Sequence, residues 1–286
     1  MDTSTIPRGV QRFRHMNGHV RLTASSPPLA MDVAGAGEPL VFLHGIGGNR
    51  SNWSGQLDAL SDQFLCGAFD FRGYGDSEDG PNTLDFFDFV DDVRHVLEAN
   101  EISRCHLFGL SMGGLVAQAY YVRHPENVLS LGLIGCRPGS APVFESSKAF
   151  AEERTRPLEQ ANNPEALADS LLPRLLGPSV GATERETIRQ SLARIRPDSY
   201  RRVLSARLSI APFLKLGDIG VPTLVMAGTH DQVAPRIQME QMAAAIPNSV
   251  LRIIPDAGHI MNIEQPDLFN RHVRDFLTSV KRNSSS

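Results

Sequence analysis

The chain has 286 residues, 41% of them hydrophobic, with 24 glycines, three cysteines and a net charge of −4 at neutral pH. That apolar content can build a buried core and excludes a disordered or collagen-like chain, while three cysteines are too few for a disulfide framework. A slightly acidic balance with no basic stripe argues against a nucleic-acid partner. From the N-terminus, Met1 to His15 carries Arg8, Arg12 and Arg14 but no apolar stretch of signal-peptide length. No apolar run reaches the roughly 18 residues of a membrane span. A soluble cytoplasmic protein is therefore expected.

Short apolar, β-branched runs then recur along the chain: Leu29–Val33, Pro39–Leu43, Phe64–Phe69, Cys105–Phe108, Val128–Ile134, Val221–Ala227 and Val250–Ile254. Each is read as a strand. Cys66, Cys105 and Cys136 lie in or beside these runs without C-x-x-C spacing, so they are expected to be small buried side chains. Amphipathic segments separate most of the strands. Thr83 is placed to cap a helix reaching about Glu98, with Phe86, Phe89, Val90, Val93 and Leu97 on its inner face. Asp85, Asp88 and Asp92 form an acidic stripe, read as a solvated face rather than a metal site. Further helices are predicted over Met112–His124 and Gln265–Val280, with a polar, frayed tail from Lys281 to Ser286. Strands alternating with helices predict an α/β fold with a mainly parallel sheet covered on both faces.

The alternation breaks from Gly139 to Leu216. This stretch has no strand-like run and is too long for a simple connection, so it is read as an inserted helical cap. The predicted organisation is a core of residues 1–138 and 217–286, with residues 139–216 as the cap. From Ser140 to Lys215 there are 12 Lys and Arg against 9 Asp and Glu, a local surplus of +3. Those arginines are read mainly as exposed, solubilising charges. The alternative is that one or two face inward and hold an anionic substrate.

Three groups of residues point to one chemistry. Gly109-Leu110-Ser111-Met112-Gly113 stands between a strand and a helix, where a sharp turn would lift the Ser111 hydroxyl clear of the sheet. His44-Gly45-Ile46-Gly47-Gly48 follows another strand and can bring a backbone N–H towards that serine. Ile46 and Met112 are the expected N–H donors to an oxyanion. A serine hydroxyl needs a base, and the base needs a carboxylate to set its tautomer. His259 and Asp231 each follow a predicted strand, so both would stand with Ser111 at the carboxyl edge of the sheet. Asp256 is a rival orienter close in sequence; His230 reads as an exposed turn residue and His44 as a structural neighbour of the glycine loop. No zinc motif or phosphate-loop lysine is present, and neither a metal nor a cofactor is expected.

At these residues the sequence resembles the α/β-hydrolase superfamily, from about Leu29 to Leu277. Asp70-Phe71-Arg72-Gly73-Tyr74-Gly75-Asp76-Ser77, Val221-Pro222-Thr223-Leu224-Val225, and Gly258-His259 followed by Glu264-Gln265-Pro266 share in the likeness. The resemblance implies Ser111 as nucleophile, His259 as base, Asp231 as acid, and Ile46 and Met112 as oxyanion donors. The run from His44 to Gly135, with Pro197-Asp198-Ser199-Tyr200, looks most like 3-oxoadipate enol-lactonases and small carboxylesterases. The implied activity is hydrolysis of a small ester or lactone. Hydrolysis of a C–C bond in a diketone, cofactor-free perhydrolase chemistry, and a ligand receptor on the same scaffold are the alternatives.

Overall fold

The computed structural model describes residues 21–23, 27–140, 147–160, 163–208 and 210–284. The Met1–His15 segment and the last two residues of the tail lie outside these. Among the described residues eight strands form one sheet: β1 (Arg21–Leu22), β2 (Ala30–Gly35), β3 (Glu38–Leu43), β4 (Phe64–Phe69), β5 (Cys105–Leu110), β6 (Val128–Ile134), β7 (Thr223–Gly228) and β8 (Ser249–Ile254). Their spatial order is β1-β2-β4-β3-β5-β6-β7-β8. From β4 to β8 in that order every neighbouring pair is parallel, and β2 alone is reversed, antiparallel to both β1 and β4. The seven strands expected from sequence are all present, and the two-residue edge strand β1 is an addition. Strand order reverses around β3, whose carboxyl end therefore opens onto a crevice between the loops.

Among the described residues ten α-helices accompany the sheet: α1 (Ser54–Leu60), α2 (Phe87–Ala99), α3 (Met112–Arg123), α4 (Ser147–Gln160), α5 (Pro164–Leu175), α6 (Ala182–Ala193), α7 (Pro197–Leu208), α8 (Arg236–Ala245), α9 (Met261–Glu264) and α10 (Pro266–Ser284). Alternate residues of β3 serve opposite faces, as a pleated strand requires. Val41 and Leu43 belong to the apolar cluster of the α2, α3 and α8 face; Leu40 and Phe42 belong to that of Trp53, α1 and α10. Between β6 and β7, helices α4 to α7 gather a third apolar cluster that includes Leu167, Leu172, Ile188, Leu192 and Leu204. Both faces of the sheet are covered, and a separate helical layer stands over its carboxyl edge.

Three local expectations need correction. Helix α2 starts at Phe87 rather than after Thr83. The Asp85 carboxylate accepts the Phe87 N–H at 2.8 Å and the Asp88 carboxylate accepts the Asp85 N–H at 2.8 Å, so two acids serve the helix start. Nor is the acidic stripe wholly solvated. Asp92 is buried and receives the Arg72 guanidinium at 2.7 and 2.9 Å and the Arg72 N–H at 3.1 Å. Arg72 arrives from the loop after β4 and needs a counter-charge in that interior. Finally, α10 continues through Ser284 where a frayed tail was expected, and the Lys281 ammonium lies over the Phe64 ring.

The three cysteines are free and buried. Burial pushes the Cys66 and Cys105 thiols up to about 12, which leaves them protonated and inert at neutral pH. Among the described residues no helix is long and apolar enough to cross a membrane.

Candidate active site

Strand β5 delivers Ser111 directly into the start of α3. The Ser111 backbone has φ 55° and ψ −114°, a conformation that disfavours L side chains and turns the residue out of the sheet. The residues two positions to either side must be glycine. A Cβ on Gly113 would overlap the Leu43 carbonyl, and one on Gly109 would overlap the Gly113 backbone. The turn is tied down by Ser111 N–H donating to the Ile134 carbonyl of β6 at 2.8 Å. Met112 is the first residue of α3, where a helical N–H has no partner within the helix.

The loop after β3 approaches the same point. A Cβ on Gly45 would lie 3.0 Å from the Ser111 Cβ, so this glycine lets the His44–Gly48 backbone close onto the serine. His44 is fully buried; its Nδ1 donates to the Gly45 carbonyl at 2.8 Å and its Nε2 accepts the Phe71 N–H at 3.1 Å. Burial lowers its pKa, keeping the ring neutral as this pattern demands. His44 is thus a brace for the glycine loop.

On the far side of the sheet, His259 follows β8 and Asp231 follows β7. His259 Nδ1 lies 2.8 Å from Asp231 Oδ2. The other carboxylate oxygen, Oδ1, accepts the N–H groups of Val233 at 2.8 Å and Ala234 at 2.9 Å. Both residues are buried. Asp256 turns away: its carboxylate lies 3.8 Å from the exposed His230 ring. Ser111 and His259 line one cavity of about 40 Å³, with Ile46, Asn52, Ser191 and Arg207 also in its wall. That is room for a water or two as the chain stands. Most of the remaining wall is aliphatic, including Leu175, Ile188, Leu192, Leu204, Val233 and Ile260.

Several contributors escaped the sequence reading. Glu264 is buried and accepts three backbone N–H groups, from Gly177 at 2.6 Å, Gly258 at 3.0 Å and Ile260 at 3.2 Å. It brackets His259 on both sides and joins it to the segment after α5; burial raises its pKa. The His259 N–H itself donates to the Leu175 carbonyl at 2.7 Å. Asn49, Asn52 and Ser191 form a buried chain of hydrogen bonds, each link 2.9 Å, from the loop after β3 to α6. A capping-box spacing at Asn49 and Asn52 was the available signal, and nothing local could have pointed to Ser191.

Arg194 and Arg196, between α6 and α7, are largely exposed as expected, and together with Arg202 of α7 they are also paired. Arg194 reaches Asp76 at 2.8 Å, and Arg196 and Arg202 reach Asp79 at 3.1 and 3.0 Å. The basic surplus of this layer faces the acidic loop after β4. Arg207 is among the residues that line the cavity. Of the aromatic residues between β6 and β7, Tyr200 lines the cavity and Phe213 packs on Phe86 and Phe87; Phe144 and the Phe150 side chain lie outside the described residues. Among the described residues no group of three or more His, Cys, Asp or Glu side chains is placed to hold a metal ion.

A parallel sheet of this order, with a serine at the turn into α3 and a His–carboxylate pair after its last two strands, defines an α/β hydrolase. Residues 38–266 match the family model described as alpha/beta hydrolase fold, and the chain belongs to that family. It is similar to 3-oxoadipate enol-lactonase 1 of Acinetobacter baylyi, 30% identical over 85% of this chain and 89% of the relative. Among solved structures it is similar to a thermophilic esterase from Thermogutta terrifontis, with TM-score 0.84 and 28% identity over 92% of this chain and 99% of that one. The enol-lactonase from Burkholderia xenovorans LB400 aligns with TM-score 0.81 and 28% identity over 90% of this chain and 100% of its own. The chain is a hydrolytic enzyme.

Proposed function

We propose that the protein hydrolyses a small carboxylic ester or lactone through an acyl-enzyme formed on Ser111. The observation that carries this reading is the 2.8 Å contact between His259 Nδ1 and Asp231 Oδ2, at a cavity that Ser111 shares. Asp231 holds Nδ1–H, which leaves Nε2 as the basic nitrogen. Ser111 Oγ attacks the substrate carbonyl and its proton passes to His259 Nε2. The electron pair displaced from the C=O bond is held by the Ile46 and Met112 N–H groups, where a single donor is worth roughly 10²–10³ in turnover. Collapse breaks the C–O bond, and the leaving oxygen takes the proton from His259. Water then attacks the acyl carbon, gives its proton to the same nitrogen, and releases the acid and Ser111. Helices α4 to α7 act as a cap that shields the acyl-enzyme from bulk water. The similarity to esterases and enol-lactonases supports this substrate class.

A second reading, hydrolysis of a C–C bond in a diketone, uses the same three residues and draws on the cationic Arg207 in the cavity wall. One experiment separates the two and tests both. A fluorophosphonate probe should label Ser111 stoichiometrically and leave Ser111→Ala untouched. A panel of p-nitrophenyl esters, lactones and vinylogous diketones should then show turnover of the esters or lactones. Labelling at another residue, or turnover of the diketones alone, would sink the ester reading.

A further inference from the structure

We propose that Asn52 is a specificity residue whose side-chain amide donates a hydrogen bond to an acceptor oxygen on the substrate, an ether, hydroxyl or carbonyl oxygen outside the group that Ser111 attacks. This rests on the hydrolase reading and adds to it a second point of recognition. Asn52 is 8% exposed and lines the cavity with Ser111, Ile46 and His259. Its side chain stands against the glycine loop, where a Cβ on Gly48 would lie 2.9 Å from Asn52 Oδ1.

The hydrogen bonds around Asn52 decide which way its amide faces. Oδ1 accepts the Asn49 N–H at 2.7 Å and the Ser191 hydroxyl at 2.9 Å. A backbone N–H can only donate, so the atom it meets is the oxygen and the amide cannot be flipped. The Asn52 backbone is committed as well, its N–H to the Asn49 carbonyl at 3.1 Å and its carbonyl to Asn262 Nδ2 at 2.8 Å. Asn52 Nδ2 is left with two protons and no acceptor among the described residues, and it is not sealed in as Trp53 Nε1 and Asn262 Oδ1 are. The open space that Asn52 lines is the cavity. The other polar side chains of that wall are spoken for. Ser191 accepts from Asn49 and donates to Asn52, Tyr200 and Arg207 are engaged within the chain, and Ser111 and His259 belong to the reaction. In a largely aliphatic enclosure, one fixed donor selects a ligand that brings an acceptor and orients it. An amide NH₂ carries no charge and accepts nothing, so its complement is an oxygen lone pair.

The test uses esters in which one methylene is exchanged for an ether oxygen: p-nitrophenyl 3-methoxypropanoate against pentanoate, and 4-methoxybutanoate against hexanoate. The two lengths set the oxygen at two distances from Ser111. The readout is the ether-to-alkyl ratio of kcat/KM divided by the same ratio for hydroxide, which removes the intrinsic reactivity of each ester. A general loss of folding or catalysis moves both members of a pair together and leaves the ratio alone. In wild type the ratio should exceed unity by about 3- to 10-fold for at least one length, the worth of a neutral hydrogen bond. Asn52→Asp keeps an acceptor for Asn49 and Ser191 and replaces the donor by an anionic oxygen, so at pH 8 the ratio should fall to unity or below. Asn52→Leu, which has no polar atom, is read in the same way should Asn52→Asp not fold. A wild-type ratio of unity at both lengths, or a ratio that the substitution does not move, would overturn the assignment. If no ester turns over, the hydrolase reading fails separately and the donor is read by melting. 3-Methoxypropanamide or 4-methoxybutanamide should then raise the Tm of wild type more than pentanamide or hexanamide does, and equal shifts would sink the proposal.

Discussion

The Asp231 carboxylate is divided between two tasks: Oδ2 meets His259 Nδ1 at 2.8 Å, while Oδ1 is fastened by the Val233 and Ala234 N–H groups. The backbone clamp stops the carboxylate rotating, so the imidazole is held in one tautomer. Asp231→Asn keeps the shape and reverses the donor pattern at one oxygen position. It should lower kcat by about 10⁴ with little change in stability, as a tautomer error does in this type of dyad. A loss below tenfold would show that His259 does not depend on Asp231.

Ser111 occupies its strained backbone conformation without help from glycine's freedom. Strain of this kind costs about 1–3 kcal/mol, against roughly 0.5–1 kcal/mol for glycine's extra unfolded-state entropy. Ser111→Gly should therefore abolish ester turnover yet raise the melting temperature by about 2–4 °C. A fall in Tm would mean that the hydroxyl stabilises the turn more than the backbone strains it.

Burial holds His44 below its ordinary value of 6.5, so the folded protein takes up a proton there less readily than the unfolded chain. Its contribution to stability is complete above pH 6.5 and is lost as the pH falls towards the folded-state value. His272 shifts in the same direction by burial. Urea unfolding should show stability falling between pH 7 and pH 5, by at most about 1.4 kcal/mol per pH unit for each group. In His44→Gln that slope should be shallower. An identical slope would assign the acid sensitivity elsewhere.

The Arg72–Asp92 pair lies within the core, and Asp92 satisfies both the guanidinium and the Arg72 N–H. Asp92→Ala removes the buried partner and leaves the guanidinium with the half-exposed Asp88 at 3.3 Å alone, which should cost about 3 kcal/mol in denaturant unfolding. The double variant Arg72→Met/Asp92→Leu should recover much of that loss. A cost below about 1 kcal/mol would mean that water reaches Arg72.

The strands were legible because each is a compact β-branched run ended by a turn residue, and because burial on both faces leaves such runs continuously apolar. The candidate site was legible for a related reason. Ser111, Asp231 and His259 each stand a few residues past a strand, and parallel topology brings all such ends to one edge. What could not be read was pairing across long sequence separations. Asp92 looks like an exposed helical acid until the loop after β4 brings Arg72 to it. Arg194, Arg196 and Arg202 look like surface charges until α6 and α7 settle on Asp76 and Asp79. Glu264 carries no local sign that its carboxylate will hold Gly177. Tertiary context, which decides these charges, has no period in the sequence.

The attachments between His259 and the helical layer bear on how this scaffold can be rebuilt. His259 N–H donates to Leu175 and Glu264 binds Gly177, so the backbone of residues 175–177 is part of the frame around the histidine. An exchange of lids between homologous enzymes, with crossovers at the ends of β6 and β7, would import a foreign strut against the histidine. Crossovers that leave residues 175–177 native, and trade only the helices on either side, would change what enters the cavity and keep the His259 ring aligned.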